Sequence, residues 1–175
     1  QEGDPPEYIE HIMKPVWPLF KRAFTHAQVL QSISQFLAHW AQRMGYAREP
    51  LIIRNGANPE SIKPTFAPEE VEILKAKLGK KDGDIFLVNT ARLVHQKGFD
   101  TTIRALTFLP THIKLLVVGG GPDEVMLKNL AEELGLGERV IFTGQIDRKE
   151  VSKYRFAGDI FVGPSRSEGL GNAFL

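Results

Sequence analysis

From residue 85 onward, short apolar runs alternate with stretches whose apolar residues recur every three or four positions. Residues 85–88 read Ile-Phe-Leu-Val, and residues 113–118, 140–142 and 159–162 are similarly apolar. Runs with so little polar interruption are the mark of strands covered on both faces, so each predicts a buried parallel strand. Helical patterns fill the gaps. Asp100 is placed to cap one, with Ile103, Ala105 and Leu106 on one side and Pro110 closing it. Pro122 suits the first position of the next, Met126, Leu130 and Leu134 repeat along it, and Gly135 stands where a terminal glycine belongs. Asp147 with Glu150 resembles a capping box that opens a short third helix through Tyr154. Such alternation predicts an α/β fold, a parallel sheet with helices on both faces.

The first fifty residues follow another pattern. Residues 9–24 predict a basic, aromatic helix carrying Ile9, Ile12, Met13, Val16, Trp17, Phe20 and Phe24. A short strand is expected at 29–30. Ser34 then caps a helix bearing Phe36, Leu37, Trp40 and Ala41 that stops before Gly45. Residues 51–53 read as a further strand, and Asn55-Gly56 as a turn. The polar, proline-containing stretch 54–64 is the expected inter-domain linker, dividing 1–53 from 65–175. Pro68 starts one more helix, with Val71, Ile73, Leu74 and Leu78 as its apolar face.

Composition narrows the chemistry. Of 175 residues, 42% are hydrophobic and 25% charged, as in ordinary globular proteins, which argues against disorder. There is no cysteine, so disulfides, thiolate metal sites and thiol nucleophiles are excluded. A net charge of +1 creates no general field for nucleic acid. No apolar run approaches the ~20 residues of a membrane span. The polar, acidic opening Gln1-Glu2-Gly3-Asp4 is unlike a signal peptide, so the cytoplasm is the default compartment. The basic aromatic stretch 14–26 has two readings, packing on a neighbouring domain or peripheral contact with the inner face of the membrane. Packing is favoured. The five histidines show no metal-ligand spacing, so no metal site is expected.

Open parallel sheets bind ligands at the carboxyl ends of their strands. There the sequence places Arg92 and Lys97, then Gly119-Gly120-Gly121, then Gly144-Gln145, then Ser165, Arg166, Glu168, Gly169 and Gly171. Glycines let a ligand approach the main chain, and cations add charge-assisted bonds to phosphate oxygens. A phosphate-bearing ligand follows. It is not read as a nicotinamide dinucleotide, because Glu124 occupies the third fingerprint position and no acidic residue ends the next strand. No NTPase phosphate loop is present either. The bland alternatives are that Arg92 and Lys97 are solvated loop cations and that Glu168 merely favours a helix terminus.

Four motifs now stand in order: Ala91-Arg92-Leu93-Val94-His95-Gln96-Lys97-Gly98, Val117-Val118-Gly119-Gly120-Gly121-Pro122, Phe142-Thr143-Gly144, and Pro164-Ser165-Arg166-Ser167-Glu168-Gly169-Leu170-Gly171-Asn172. Together they resemble the nucleotide-sugar-binding half of the retaining glycosyltransferases of family 4. Residues 32–37 and 53–58 resemble, more weakly, the end of that family's acceptor domain and its linker. The resemblance implies a Rossmann-like domain within a two-domain GT-B architecture, here truncated at both ends. It also implies transfer of a sugar from a UDP-, GDP- or similar nucleotide sugar to a glycan, lipid-linked or polysaccharide acceptor, with no cofactor or metal. Arg92 and Lys97 would hold and stabilise the leaving diphosphate, and Glu168 would meet hydroxyls of the donor sugar. Gln145 and Ile146 would lie near the base. Gly119 and Gly121 would admit the nucleotide, while Ser165, Gly169, Leu170, Gly171 and Asn172 would cradle sugar and phosphate. The family's second glutamate would fall at position 176, one past Leu175, and Ala91 replaces a frequent glycine. On this reading the isolated 175-residue chain binds donor poorly and transfers nothing. The rivals are a non-catalytic nucleotide- or phosphosugar-binding module, and another GT-B enzyme such as a phosphorylase or sugar-phosphate synthase.

Overall fold

The computed structural model describes residues 11, 14–56 and 64–166. They fall into two compact units, one within the first 57 residues and the other within Asn58–Arg166. No described helix is long and apolar enough to cross a membrane.

In the first unit a 3-10 turn leads into helix α1 (Trp17–His26), followed by strand β1 (Gln31–Ser32), helix α2 (Gln35–Arg43) and strand β2 (Leu51–Ile52). Ser34 caps α2 as expected, its Oγ accepting from the Leu37 amide at 3.3 Å. Trp17, Phe20 and Phe24 form a ladder along α1 that ends on Trp40 of α2, with Phe24 and Trp40 centroids 5.6 Å apart. That aromatic side of α1 is thus partnered within its own unit. β1 pairs in parallel with β2, Gln31 opposite Leu51. It lies two residues beyond the expected 29–30, because the ladder starts from the Leu30 carbonyl and leaves Val29 exposed.

The second unit runs α3 (Pro68–Lys77), β3 (Ile85–Thr90), α4 (Phe99–Ala105), β4 (Ile113–Val118), α5 (Glu124–Glu133), β5 (Val140–Phe142), α6 (Val151–Ala157) and β6 (Ile160–Phe161). The sheet is wholly parallel, in the order β5-β4-β3-β6, with Ile85 opposite Ile113 and Leu87 opposite Ile160. β3 to β5 step one way across the sheet, and β6 returns to the far side of β3. Right-handed crossovers therefore put α4 and α5 on one face and α6 on the other. Alternate strand residues divide accordingly. Leu115 and Val117 pack with Phe99, Ile103, Leu127 and Leu130. Phe86, Val88, Leu116 and Val118 pack with Tyr154 and Ile146. This two-sided burial is why the strands read as unbroken apolar runs.

Helix phases differ in detail from the expectation. On α5 the buried residues are Leu127, Leu130 and Ala131, whereas Met126 is 46% exposed. On α3 Val71 and Leu74 are buried but Ile73 is 68% exposed. A run of adjacent apolar residues fixes a stripe only to within one position, and the packed neighbour decides between them. Pro122 precedes α5 rather than opening it. Asp147 makes a turn of its own, its Oδ1 accepting from the Lys149 amide at 2.9 Å, and Glu150 pairs with Lys153 instead of completing a box.

Carboxylates gather at the amino end of the sheet. Asp84 accepts from Lys114 at 2.6 Å, and Asp159 accepts from Lys80 and from the Phe86 amide. The opposite end carries the loops of interest.

Candidate functional site

A cleft of about 650 Å³ opens at the carboxyl ends of β3, β4 and β5. Its walls are the residues following each of these strands, together with Val151 and Arg155 of α6. Strand order explains the convergence: α6 crosses back over the sheet on the face opposite α4 and α5, so its first turn meets the tips of β3 and β4.

The glycine turn is built by its neighbours as much as for a ligand. Gly119 has φ +140°, and a Cβ there would collide with the carbonyl oxygen of Ala91. A Cβ on Gly121 would lie 2.7 Å from the Leu93 amide nitrogen, with the Leu93 carbonyl closer still. The two loops are laced together by Leu93 N–H donating to Gly120 O at 3.0 Å and Asp123 N–H donating to Leu93 O at 3.1 Å. Glycine is required here because backbone packs on backbone, and this contact holds Arg92 at the mouth of the cleft. Arg92 is exposed, and its side chain has no hydrogen bond or ion pair among the described residues, its carbonyl alone accepting from the Val94 amide at 3.0 Å. Gln145 and Ile146 form the wall after β5.

Lys97 is placed differently. It ends a 3-10 turn (His95–Lys97), is half-buried and is not among the residues lining this cleft. Ser165 is half-buried between Pro164 and Arg166 and does not line the cleft either. Glu168, Gly169, Leu170, Gly171 and Asn172 lie outside the described residues.

Asp100 does not cap α4. The cap position is Gly98, with φ +67°, where a Cβ would strike the Pro164 carbonyl oxygen. Asp100 instead receives Arg166 in a two-pronged ion pair, Nη1 to Oδ1 at 2.9 Å and Nη2 to Oδ2 at 2.6 Å. Arg166 also donates to His95 O at 2.6 Å, so it ties the loop after β6 to the loop after β3. The Arg166 guanidinium holds the Asp100 carboxyl below its ordinary pKa. A lowered carboxyl stabilises the fold above its unfolded-state pKa of about 3.9 and loses that contribution as pH falls through the folded value. Asp100→Asn is expected to lower stability near pH 7 by about 1 kcal/mol or less, since solvent screens the pair. The difference from wild type should shrink below about pH 4, as read from thermal unfolding between pH 3 and 7. An equal difference across that range would show that the pair contributes nothing.

Sequence reasoning missed Arg155. Its Nε donates to Thr90 Oγ1 at 3.0 Å, and its guanidinium lies 6.0 Å from the Phe161 ring centroid. Burial lowers its pKa from the ordinary value. The only signal in the chain is its position one helical turn after Val151, and nothing local distinguishes it from a solvated helix arginine. Among the described residues no cluster of His, Asp or Glu is arranged to hold a metal. The cleft wall contains, among the described residues, two arginines and no carboxylate.

Comparison with known proteins gives a consistent result. Residues 70–175 match the family described as Glycosyl transferases group 1. A lipopolysaccharide core biosynthesis glycosyltransferase, LpsD of Rhizobium meliloti, is 31% identical over 172 residues, covering 97% of this chain and 43% of the relative. The alpha-monoglucosyldiacylglycerol synthase of Streptococcus pneumoniae is 33% identical over 116 residues, covering 65% of this chain and 26% of the relative. The chain thus spans less than half the length of these relatives. Among solved structures, Anabaena HepE in complex with UDP-glucose superposes with a TM-score of 0.82 at 22% identity, covering 98% of this chain and 48% of that one. The α/β fold expected from the sequence is that of the GT-B enzymes.

Proposed function

The chain belongs to the group 1 glycosyl transferases, and from that premise we propose that the protein moves a sugar from a nucleoside-diphosphate sugar to an acceptor hydroxyl with retention of anomeric configuration. The observation that carries this is the cleft at the strand ends, where, among the described residues, the glycine turn and the unpaired Arg92 side chain face a wall without a carboxylate. As the glycosidic bond breaks, negative charge develops on the leaving diphosphate. Preorganised cations at that position lower the barrier without having to reorganise. Arg92 supplies one, and Lys97 joins it from the turn beyond. Glu168 meets the donor sugar, Gln145 and Ile146 border the base, and Ser165, Gly169, Leu170, Gly171 and Asn172 complete the cradle. Residues 1–53 are the end of the acceptor domain, 54–64 the linker and 65–175 the donor domain. The protein's own cations make a metal unnecessary.

The names of the relatives support a lipid-linked or glycan acceptor, one being a monoglucosyldiacylglycerol synthase and the other serving lipopolysaccharide core biosynthesis. An acceptor of that class resides at a membrane, which suits a cytoplasmic protein working at its inner face. The test is to incubate the full-length protein with UDP- and GDP-sugars and with lipid or lipopolysaccharide acceptors, following released nucleoside diphosphate and product anomer by NMR. Retained configuration, unchanged by a chelator, is the expected result. Donor binding without transfer to any acceptor would leave a non-catalytic binding module. An inverted product would overturn the retaining assignment.

A further inference from the structure

We infer that Arg155, on α6, is a second phosphate-recognising guanidinium of the donor site, gripping the diphosphate from α6 while Arg92 does so from the β3 loop. The inference rests on the proposed donor reading and adds to it a residue that neither the motifs nor the family description marks.

Three observations carry it. Arg155 and Arg92 line the same cleft, and no Asp or Glu among the described residues lines it with them. A guanidinium offers N–H donors in a rigid fork. Arg155 commits its Nε to Thr90 Oγ1 at 3.0 Å, and its two terminal nitrogens have no partner among the described residues. Thr90 is the last residue of β3, so this bond fixes the fork over the strand tip, next to the Ala91 and Arg92 backbone and the glycine turn packed on it. Finally, Arg155 is exposed at the cleft wall, partial burial lowers its pKa from the ordinary value, and no carboxylate among the described residues pairs with it. Elsewhere in this unit, Lys114 meets Asp84, Lys80 meets Asp159, Arg166 meets Asp100, and Arg139 is capped by the carbonyls of Leu109, Pro110 and Ile113, whereas the terminal nitrogens of Arg155 face the cleft with no such acceptor among the described residues. A bound diphosphate supplies an anion in the geometry a guanidinium fork prefers.

A purely structural role predicts something else. Arg155 would then act only through Thr90 and Phe161, and its loss would lower stability without touching affinity for phosphate.

The experiment compares wild-type full-length protein with Arg155→Met, Arg155→Lys and Thr90→Val. UDP and GDP binding is measured by calorimetry at low and high salt, and uridine and guanosine binding by NMR. Arg155→Met should weaken binding of the recognised diphosphate by about 10- to 100-fold, the range for hydrogen bonds to charged groups. The matching nucleoside should bind as before, and the salt dependence of diphosphate affinity should flatten. Arg155→Lys should recover part of the loss, and Thr90→Val should show a smaller one because the fork is retained but not aimed. Unchanged diphosphate affinity in Arg155→Met, or a nucleoside loss equal to the diphosphate loss, would overturn the inference. Should Arg155→Met not fold, Arg155→Lys with undiminished affinity and salt slope does the same. If wild type binds neither diphosphate, the donor reading falls first, an outcome separable from failure of the variant alone.

Discussion

Gly119→Ala is expected to destabilise the α/β unit by about 2–4 kcal/mol, a fall in melting temperature of roughly 10–20 °C for a domain of this size. Two costs combine. The backbone at φ +140° is a conformation that L side chains rarely adopt, and the new methyl group would strike the Ala91 carbonyl oxygen. Relief requires separating the β3 and β4 loops, which are joined there by Ala91 N–H donating to Val118 O at 3.2 Å. Gly135→Ala supplies the comparison. That glycine has φ +68° and no atom within 4 Å of the place a methyl group would take, so only backbone strain is added. Its cost should be about 1–2 kcal/mol, that of an L residue in the left-handed region. Thermal unfolding of both variants decides the matter. Equal melting temperatures would mean that the Ala91 contact is easily relaxed and that the glycine turn does not shape the cleft.

Arg92→Ala should reduce kcat of the full-length enzyme by about 10²–10³-fold, the usual loss when one preorganised donor to developing charge is removed. Its melting temperature should stay near that of wild type, because the Arg92 side chain is exposed and makes no bond among the described residues. Arg92→Lys should fall between the two, keeping charge but losing the planar fork. A kcat for Arg92→Ala within about twofold of wild type would remove Arg92 from transition-state stabilisation. A loss confined to KM would instead assign it to ground-state donor binding.

Legibility differs from element to element for identifiable reasons. Residues 85–90 and 113–118 are recognisable because both faces of their strands are covered, so burial leaves its mark on consecutive residues. The cap at Ser34 is legible because its bond reaches only to Leu37. Asp100 misleads because the residue that engages it, Arg166, lies 66 positions away. Local spacing makes it a cap, whereas the fold makes it half of an ion pair. The stripe of α5 is out of phase by one residue, Met126 for Leu127, since both are apolar and only the neighbouring sheet and α4 select between them.

The site divides in the same way. Arg92, the glycine turn, Gln145 and Ile146 stand out in the chain because each follows a recognisable strand, and the structure gathers them around one cleft. Lys97 and Ser165 carry the same kind of motif but are not among the residues that line it. Arg155 is invisible in the sequence, a single arginine on a short amphipathic helix.

By itself, then, the sequence determined the α/β class, the parallel strands and the strand ends where chemistry gathers. Those properties depend on contacts within a few residues and on which faces are buried. Only the tertiary structure decided that Gly119 and Gly121 answer to Ala91 and Leu93, that Arg166 ties down Asp100, and that Arg155 reaches Thr90. Each of these joins residues brought together by the order β5-β4-β3-β6, and that order is a property of the whole sheet rather than of any segment within it.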